Sequence, residues 1–196
     1  MFTGIIESIG TLSQIKTEGT NTHFYFSSPL YSELKVDQSL AHDGVCLTVV
    51  EIISEGYRVT AIDETLKKTN LSSWRVGKKV NLERCMAANG RFDGHIVQGH
   101  VDQIGTIQRI EDQAGSWLVD VIYDASLGNV TVEKGSITLN GTSLTCFNSA
   151  LGAFSVAIIP YTYEFTNFHE LKAGNQINLE FDIVGKYIQR ITKGYL

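Results

Sequence analysis

Apolar and polar positions alternate along this chain in short runs, and few stretches sustain a helical period. The segments "YRVTAI", "KVNLE", "SWLVDVIYD", "FSVAII" and "QINLEFDIV" are rich in Val, Ile, Tyr and Phe, and each predicts a strand. Gly or Asn/Asp interrupts these runs at intervals that suit a barrel or a sandwich. Helix signals are sparse. "TNLSSW" and "TNFHEL" each offer a Thr or Asn cap ahead of a brief turn. The tail "GKYIQRITKGYL" is the best longer helix, with Tyr187, Ile188 and Ile191 on one apolar stripe. The pattern predicts a mostly-β chain.

The same pattern occurs twice. "MFTGIIESIGTLSQI" at the start is echoed by the stretch from Gly99 to Ile110, pairing Gly4 with Gly99, Gly10 with Gly105 and Ile15 with Ile110. Between Ser39 and Glu83 the second copy follows at a constant offset of 97, and 13 of those 45 positions are identical without a gap. At the two starts the offset is 95. A fixed period over that length marks a duplicated unit of about 95 residues, large enough to bury its own core. The shared glycines Gly44/Gly141 and Gly77/Gly174 and the shared triplet Asn-Leu-Glu (Asn81–Glu83, Asn178–Glu180) read as requirements of the fold.

Composition narrows the function classes. Hydrophobic residues make up 43% and charged residues 19% of the 196, a globular balance. A formal net charge of −5 gives no basic face for nucleic acid. No apolar run approaches the roughly 20 residues that span a bilayer, and the opening residues lack the pattern of a secretory signal. The three scattered cysteines, Cys46, Cys85 and Cys146, suit a reducing cytoplasm better than a disulfide framework.

The differences between the copies carry the chemistry. In "CLTV" the side chains of Cys46 and Thr48 share one strand face and Leu47 turns to the other; in "SLTC" Ser143 and Thr145 do so against Leu144. An ordinary half-exposed strand has that alternation, and so do two related pockets lined by small polar groups. His95 and His100 stand in the second copy only. Five apart on a continuous strand they point to opposite faces, and no Cys, His or carboxylate completes a zinc spacing, so a metal pair is disfavoured. A hydrogen-bonding or proton-transfer role beside a pocket suits an imidazole better, with a structural role equally open for His95. Cys46, taken alone, reads as a small buried residue, because a free thiol is mostly protonated at neutral pH. Asp182, where the first copy has Cys85, is an acidic group in one copy only.

The motifs "MFTGI", "HDGVCLTV", "ETLKKTNL", "GHIVQGHVD", "NGTSLTC", "IPYT" and "NLE", in this order and across nearly the whole chain, resemble the riboflavin synthase family of the α-subunit type. The resemblance implies two tandem six-stranded antiparallel Greek-key barrels (1–96 and 97–184) and a C-terminal helix that forms a trimer (185–196). It implies a dismutation of two molecules of 6,7-dimethyl-8-ribityllumazine, a four-carbon unit passing from one to the other, without cofactor or metal. The productive site would lie between the first barrel of one subunit and the second barrel of a neighbour. Association with a lumazine synthase shell is a further partner it raises. Asn140 and Cys146 depart from the aspartate and valine usual in the family.

Carried over by position, the resemblance places Gly4, Ile5 and Ile6 in the first barrel's substrate site. With them go Ser39, Cys46, Leu47 and Thr48, then Thr60, Ala61, Ile62, Asp63, Glu64 and Thr65. It places Gly99, His100, Val101 and Lys134 in the second. Ser143, Leu144 and Thr145 follow there, with Ala157, Ile158, Ile159, Pro160, Tyr161 and Thr162. His100, with Thr145 near it, is the expected proton-transfer group. Ser143 and Asp182 are expected to position or activate the nucleophile, with Cys46 lining the facing pocket. A non-catalytic lumazine- or flavin-binding antenna protein shares the duplicated fold, but such proteins tend to lose these polar groups. A reductase flavin barrel is weaker still, because no Gly-x-Gly-x-x-Gly follows a strand.

Overall fold

The computed structural model describes residues 1–192; the last four positions of the predicted tail helix lie outside the described residues. Twelve strands form two closed barrels. The first comprises β1 (Ser8–Glu18), β2 (Asn21–Ser27), β3 (Ser39–His42), β4 (Val45–Ile53), β5 (Gly56–Ala61) and β6 (Lys79–Arg84). The second comprises β7 (Gln103–Asp112), β8 (Trp117–Ile122), β9 (Ser136–Leu139), β10 (Thr142–Ala150), β11 (Ala153–Ile158) and β12 (Gln176–Phe181). Neighbours run β1-β2-β5-β4-β3-β6 and, in the second, β7-β8-β11-β10-β9-β12, all antiparallel. Strand β5 returns to lie beside β2 across the β3–β4 hairpin, which is the Greek-key crossing. The mostly-β fold and the paired six-stranded barrels agree with the sequence.

Alternation along each strand builds the cores. Leu12, Phe24, Phe26, Tyr57 and Leu82 fill the first barrel, and Trp74 meets Phe24 edge-on at 5.5 Å between ring centres. Ile107, Val121, Phe154, Ile177 and Leu179 fill the second. Bulges at Leu12–Gln14 and Ile107–Arg109, related by the 95-residue offset, bend equivalent strands at equivalent places. The two Thr-capped turns also appear: Thr69 and Thr166 accept from the backbone N–H of Leu71 and Phe168 and open single 3₁₀ turns. Short helices α1 (Asp63–Lys68) and α2 (Pro160–Phe165), which the hydrophobic pattern does not announce, precede those turns.

The strand read through "QINLEFDIV" stops at Phe181, because the Asp182 carboxylate accepts from the Val184 N–H and starts α3 (Ile183–Thr192). Val184, Tyr187, Ile188 and Ile191 project from α3 with more than half of their surface exposed.

The barrels meet on a local two-fold axis. Asp43-Gly44 and Asn140-Gly141 turn the β3–β4 and β9–β10 hairpins with φ of 46°, 79°, 43° and 82°, the left-handed pair that a two-residue hairpin needs. The turns abut so closely that a Cβ on Gly44 would lie 2.7 Å from the Gly141 nitrogen. Around them the repeated asparagines cross-brace the halves. Asn81 Nδ2 donates to the Asn140 carbonyl at 2.9 Å and Asn178 Nδ2 to the Asp43 carbonyl at 3.0 Å. The Asn70 and Asn167 N–H groups donate to Asn178 Oδ1 and Asn81 Oδ1 at 2.8 and 2.7 Å. The repeated Asn-Leu-Glu triplet is therefore interface as well as strand.

Candidate active site

The segments that begin the two repeats are not strands of either barrel. They run as extended arms, Met1–Ile6 and 94–101, and pair with each other through Phe2 N–H to the Val97 carbonyl at 2.7 Å and the reciprocal bond at 3.1 Å. Each arm then crosses to the other half. The Gly4 carbonyl accepts from Ser143 N–H at 2.8 Å, on β10 of the second barrel, and the Gly99 carbonyl accepts from Cys46 N–H at 2.9 Å, on β4 of the first. Only glycine fits at either crossing: a Cβ on Gly4 would lie 2.6 Å from that of Ser143, and one on Gly99 2.6 Å from that of Cys46.

This crossing corrects the grouping read from the sequence. Ile5 lines a crevice of about 540 Å³ with Lys134, Ser143 and Thr145 of the second barrel. His100 and Val101 line one of about 390 Å³ with Cys46, Glu64 and Thr65 of the first. Position along the repeat therefore does not decide which barrel an arm serves, because the arms exchange. The same geometry puts His100 and Thr145 in different crevices of one chain. The two crevices have no lining residue in common. At equivalent places, His100 and Cys46 in the first stand where the second has Ile5 and Ser143.

Strand alternation distributes the other expected residues. Thr48 and Thr145 are exposed on the same faces as Cys46 and Ser143. Leu47, Ala61 and Ile158 are buried in the barrel cores, so any ligand they meet would meet their backbone, while the half-buried Leu144 packs against the second core and also lines the second crevice. Ala157, Ile159 and Thr162 line the second crevice, whereas Pro160 and Tyr161 open to solvent on α2. Thr60 is held by His23 Nδ1 at 2.8 Å; Ile62 and Asp63 are exposed at the start of α1, and Ile6 is half-buried between its arm and β1. Ser39 lines a third hollow, about 690 Å³, between the first arm and the first barrel, and its hydroxyl reaches the Cys46 thiol.

Electrostatics differ between the crevices. Burial pushes the Cys46 thiol up from its ordinary value of 9.0, so it stays protonated at neutral pH. His95, left open in the sequence, is a bridge: Nδ1 lies 2.6 Å from Ser143 Oγ and Nε2 3.2 Å from Thr138 Oγ1. Burial lowers its pKa, against a smaller upward pull from the Asp182 charge. Asp182 thus meets this site through His95 while its own carboxylate caps α3. The Lys134 ammonium sits 5.5 Å over the Phe147 ring at the second crevice. Sequence reasoning missed Phe2, fully buried against Ala41, Val97 and Cys46 at the arm crossing. A lone aromatic at position 2 carries no periodicity to betray it.

Residues 3–85 and 98–182 each match the lumazine binding domain family. The chain is 41% identical over 191 residues to riboflavin synthase of Bacillus subtilis, covering 97% of this chain and 89% of that protein. Riboflavin synthase of Mycobacterium tuberculosis is 38% identical over 200 residues, with 98% of each covered. Among solved structures, LumP complexed with riboflavin superposes with a TM-score of 0.85 over 92% of this chain and 99% of that one, at 22% identity. LumP complexed with 6,7-dimethyl-8-(1'-D-ribityl) lumazine gives 0.83 at 21%, with 92% and 99% covered, and likeness at that identity concerns the fold. With both repeats matched and the relatives aligned almost end to end, the chain belongs to the riboflavin synthase family.

Proposed function

We propose that this riboflavin synthase holds one 6,7-dimethyl-8-ribityllumazine in each crevice type and passes a four-carbon unit between two of them. The products are riboflavin and 5-amino-6-ribitylamino-pyrimidinedione. The observation that carries the reading is the pair of repeat-equivalent crevices with different linings, one for each role of a single substrate. One lumazine must lose a proton from its C7 methyl, and the resulting carbanion attacks the other, which has accepted a nucleophile. His100, exposed at the first crevice, is the proton-transfer group, with the protonated Cys46 thiol beside it as wall and hydrogen-bond donor. Ser143, hydrogen-bonded to His95, whose imidazole feels the Asp182 charge, orients the nucleophile or water at the second, and Thr145 shares its face. Holding the rings face to face supplies much of the rate, since orientation is worth about 7–11 kcal/mol.

The crevices of one chain have no lining residue in common, which supports a reacting pair drawn from two copies. The apolar stripe of α3 (Val184, Tyr187, Ile188, Ile191) supports a homotrimer that brings a first crevice against a neighbour's second. No helix among the described residues is long and apolar enough to cross a membrane, and the three free thiols favour the reducing cytoplasm.

The deciding experiment mixes purified protein with the lumazine, without cofactor, and follows riboflavin by absorbance beside an EDTA-treated sample. One riboflavin for every two lumazines consumed, with or without EDTA, is the expected result. Tight binding with unchanged lumazine would mean an antenna protein instead.

A further inference from the structure

Each Asn-Leu-Glu triplet ends in a glutamate that the chemistry above does not use. Glu83, on β6 of the first barrel, is 4% exposed, and Glu180, on β12 of the second, 3%. Each carboxylate is spent on the backbone of an arm. Glu83 Oε1 accepts from Thr3 N–H at 2.6 Å and from the Thr3 hydroxyl at 3.1 Å, and Oε2 accepts from Gly4 N–H at 3.0 Å. Glu180 Oε1 accepts from Gln98 N–H at 2.6 Å, and Oε2 from Gly99 and His100 N–H at 2.9 and 3.0 Å. Burial raises both carboxyl pKa values, and these donors pull against it, joined at Glu180 by the Lys186 charge.

The arm held by Glu83 goes on to line the second barrel's crevice, and the arm held by Glu180 goes on to line the first's. Neither glutamate lines the crevice its arm reaches. We propose that Glu83 and Glu180 are positioning residues that act crosswise, each fixing the arm that completes the crevice on the opposite barrel. A carboxylate suits the task because it only accepts, with two oxygens for three donors; an amide would turn its NH₂ toward an N–H. Glu180 sets the place of Gly99 and His100 against Cys46, and Glu83 sets Gly4 and Ile5 against Ser143.

The test reads arm position through a thiol and needs no ligand. In a Cys85→Ser background, which removes the exposed cysteine, the iodoacetamide modification rate of Cys46 is followed by peptide mass spectrometry; Cys146 is 1% exposed. Glu180→Gln should speed Cys46 modification by about tenfold or more, the worth of a charge-assisted hydrogen bond, and Glu83→Gln should leave it within about twofold. In a Ser143→Cys, Cys46→Ser, Cys85→Ser background the pattern should reverse, with Glu83→Gln exposing the introduced thiol. Where an amide variant fails to fold by circular dichroism, Glu180→Asp or Glu83→Asp should show the same crossed pattern at smaller size. Faster modification within the same barrel, or none in either, overturns the proposal. The inference rests on the lumazine reading only for its kinetic corollary, a lower kcat in both Gln variants that the Asp variants partly restore. Unsubstituted protein that turns over no lumazine would sink that reading and leave the thiol rates to decide this one.

Discussion

Asp43, at the hairpin turn on the local two-fold axis, is a carboxylate that no solvent reaches. Oδ1 accepts from Asn81 N–H at 2.8 Å and from Asn167 Nδ2 at 2.9 Å, while Oδ2 has no hydrogen-bond partner among the described residues and faces the Lys78 ammonium at 3.5 Å. At an effective dielectric of 20 that separation corresponds to about 5 kcal/mol of attraction. Lys78 keeps a quarter of its side chain in water, so screening leaves about 2–4 kcal/mol as the cost of Lys78→Asn at pH 7. The second barrel shows the alternative: Asn140 replaces Asp43, accepts from Asn178 N–H at 2.9 Å, and the position matching Lys78 is Asn175. The double variant Asp43→Asn/Lys78→Asn should therefore return to within about 1 kcal/mol of the starting protein, a coupling of about 2–3 kcal/mol in the cycle.

Burial raises the Asp43 pKa in the folded chain, and Lys78 opposes the rise. A raised carboxyl favours folding below its unfolded value and loses that contribution as pH climbs through the folded value. Removing Lys78 raises it further, so the single variant's cost should be smaller at pH 5 than at pH 7. Urea unfolding followed by the fluorescence of Trp74, 5.8 Å from the Lys78 ammonium, measures all four corners at both pH values. A single-variant cost below about 0.5 kcal/mol, a cost equal at the two pH values, or a double variant no better than Lys78→Asn would refute the reasoning.

Three other outcomes are expected. His100→Gln should lower turnover by about 10²–10⁴ while lumazine affinity, measured by fluorescence titration, changes far less; equal losses would make His100 a holder of substrate only. Cys46→Ser should keep activity within about tenfold with an unchanged pH profile to pH 8, because the thiol is protonated there; a loss that tracks thiolate formation would restore it as a nucleophile. His42, buried between Phe26 and Tyr57 and bonded to the Leu40 carbonyl, has its pKa lowered by burial to about 3 from 6.5. Its contribution is therefore whole above pH 6.5 and falls on acidification, by about 3 kcal/mol at pH 4. Thermal melts of His42→Gln should lack that slope, and an identical slope would contradict it.

Much of the fold was legible because strands write themselves in alternation and a duplication writes itself twice. Cys46/Thr48 against Leu47 and Ser143/Thr145 against Leu144 fall on the faces their parity dictates. The terminal helix was legible from its stripe, though Asp182 starts it two residues earlier than the tail pattern does. α1 and α2 were not, since six residues are too few to show a period. The assignment of arms to barrels was the larger miss. Gly4 and Gly99 are equivalent in sequence, and equivalence is silent about which half of a two-fold object a segment visits. His95 left a hydrogen-bonding and a structural role both open in the sequence, because strand parity does not say which hydroxyls its ring meets; the 2.6 Å contact with Ser143 Oγ does.

The crossed arms change what counts as half of this protein. A piece cut near residue 96 would carry Met1–Ile6, an arm shaped for a Ser143-type strand it does not own, and would leave its own Cys46 strand without Gly99. Two such pieces related by a two-fold axis could each lend the other an arm, Gly4 standing in for Gly99. Ownership of a pocket in this fold belongs to a pair of barrels, and a single barrel reaches completeness only by trading ends with a copy of itself.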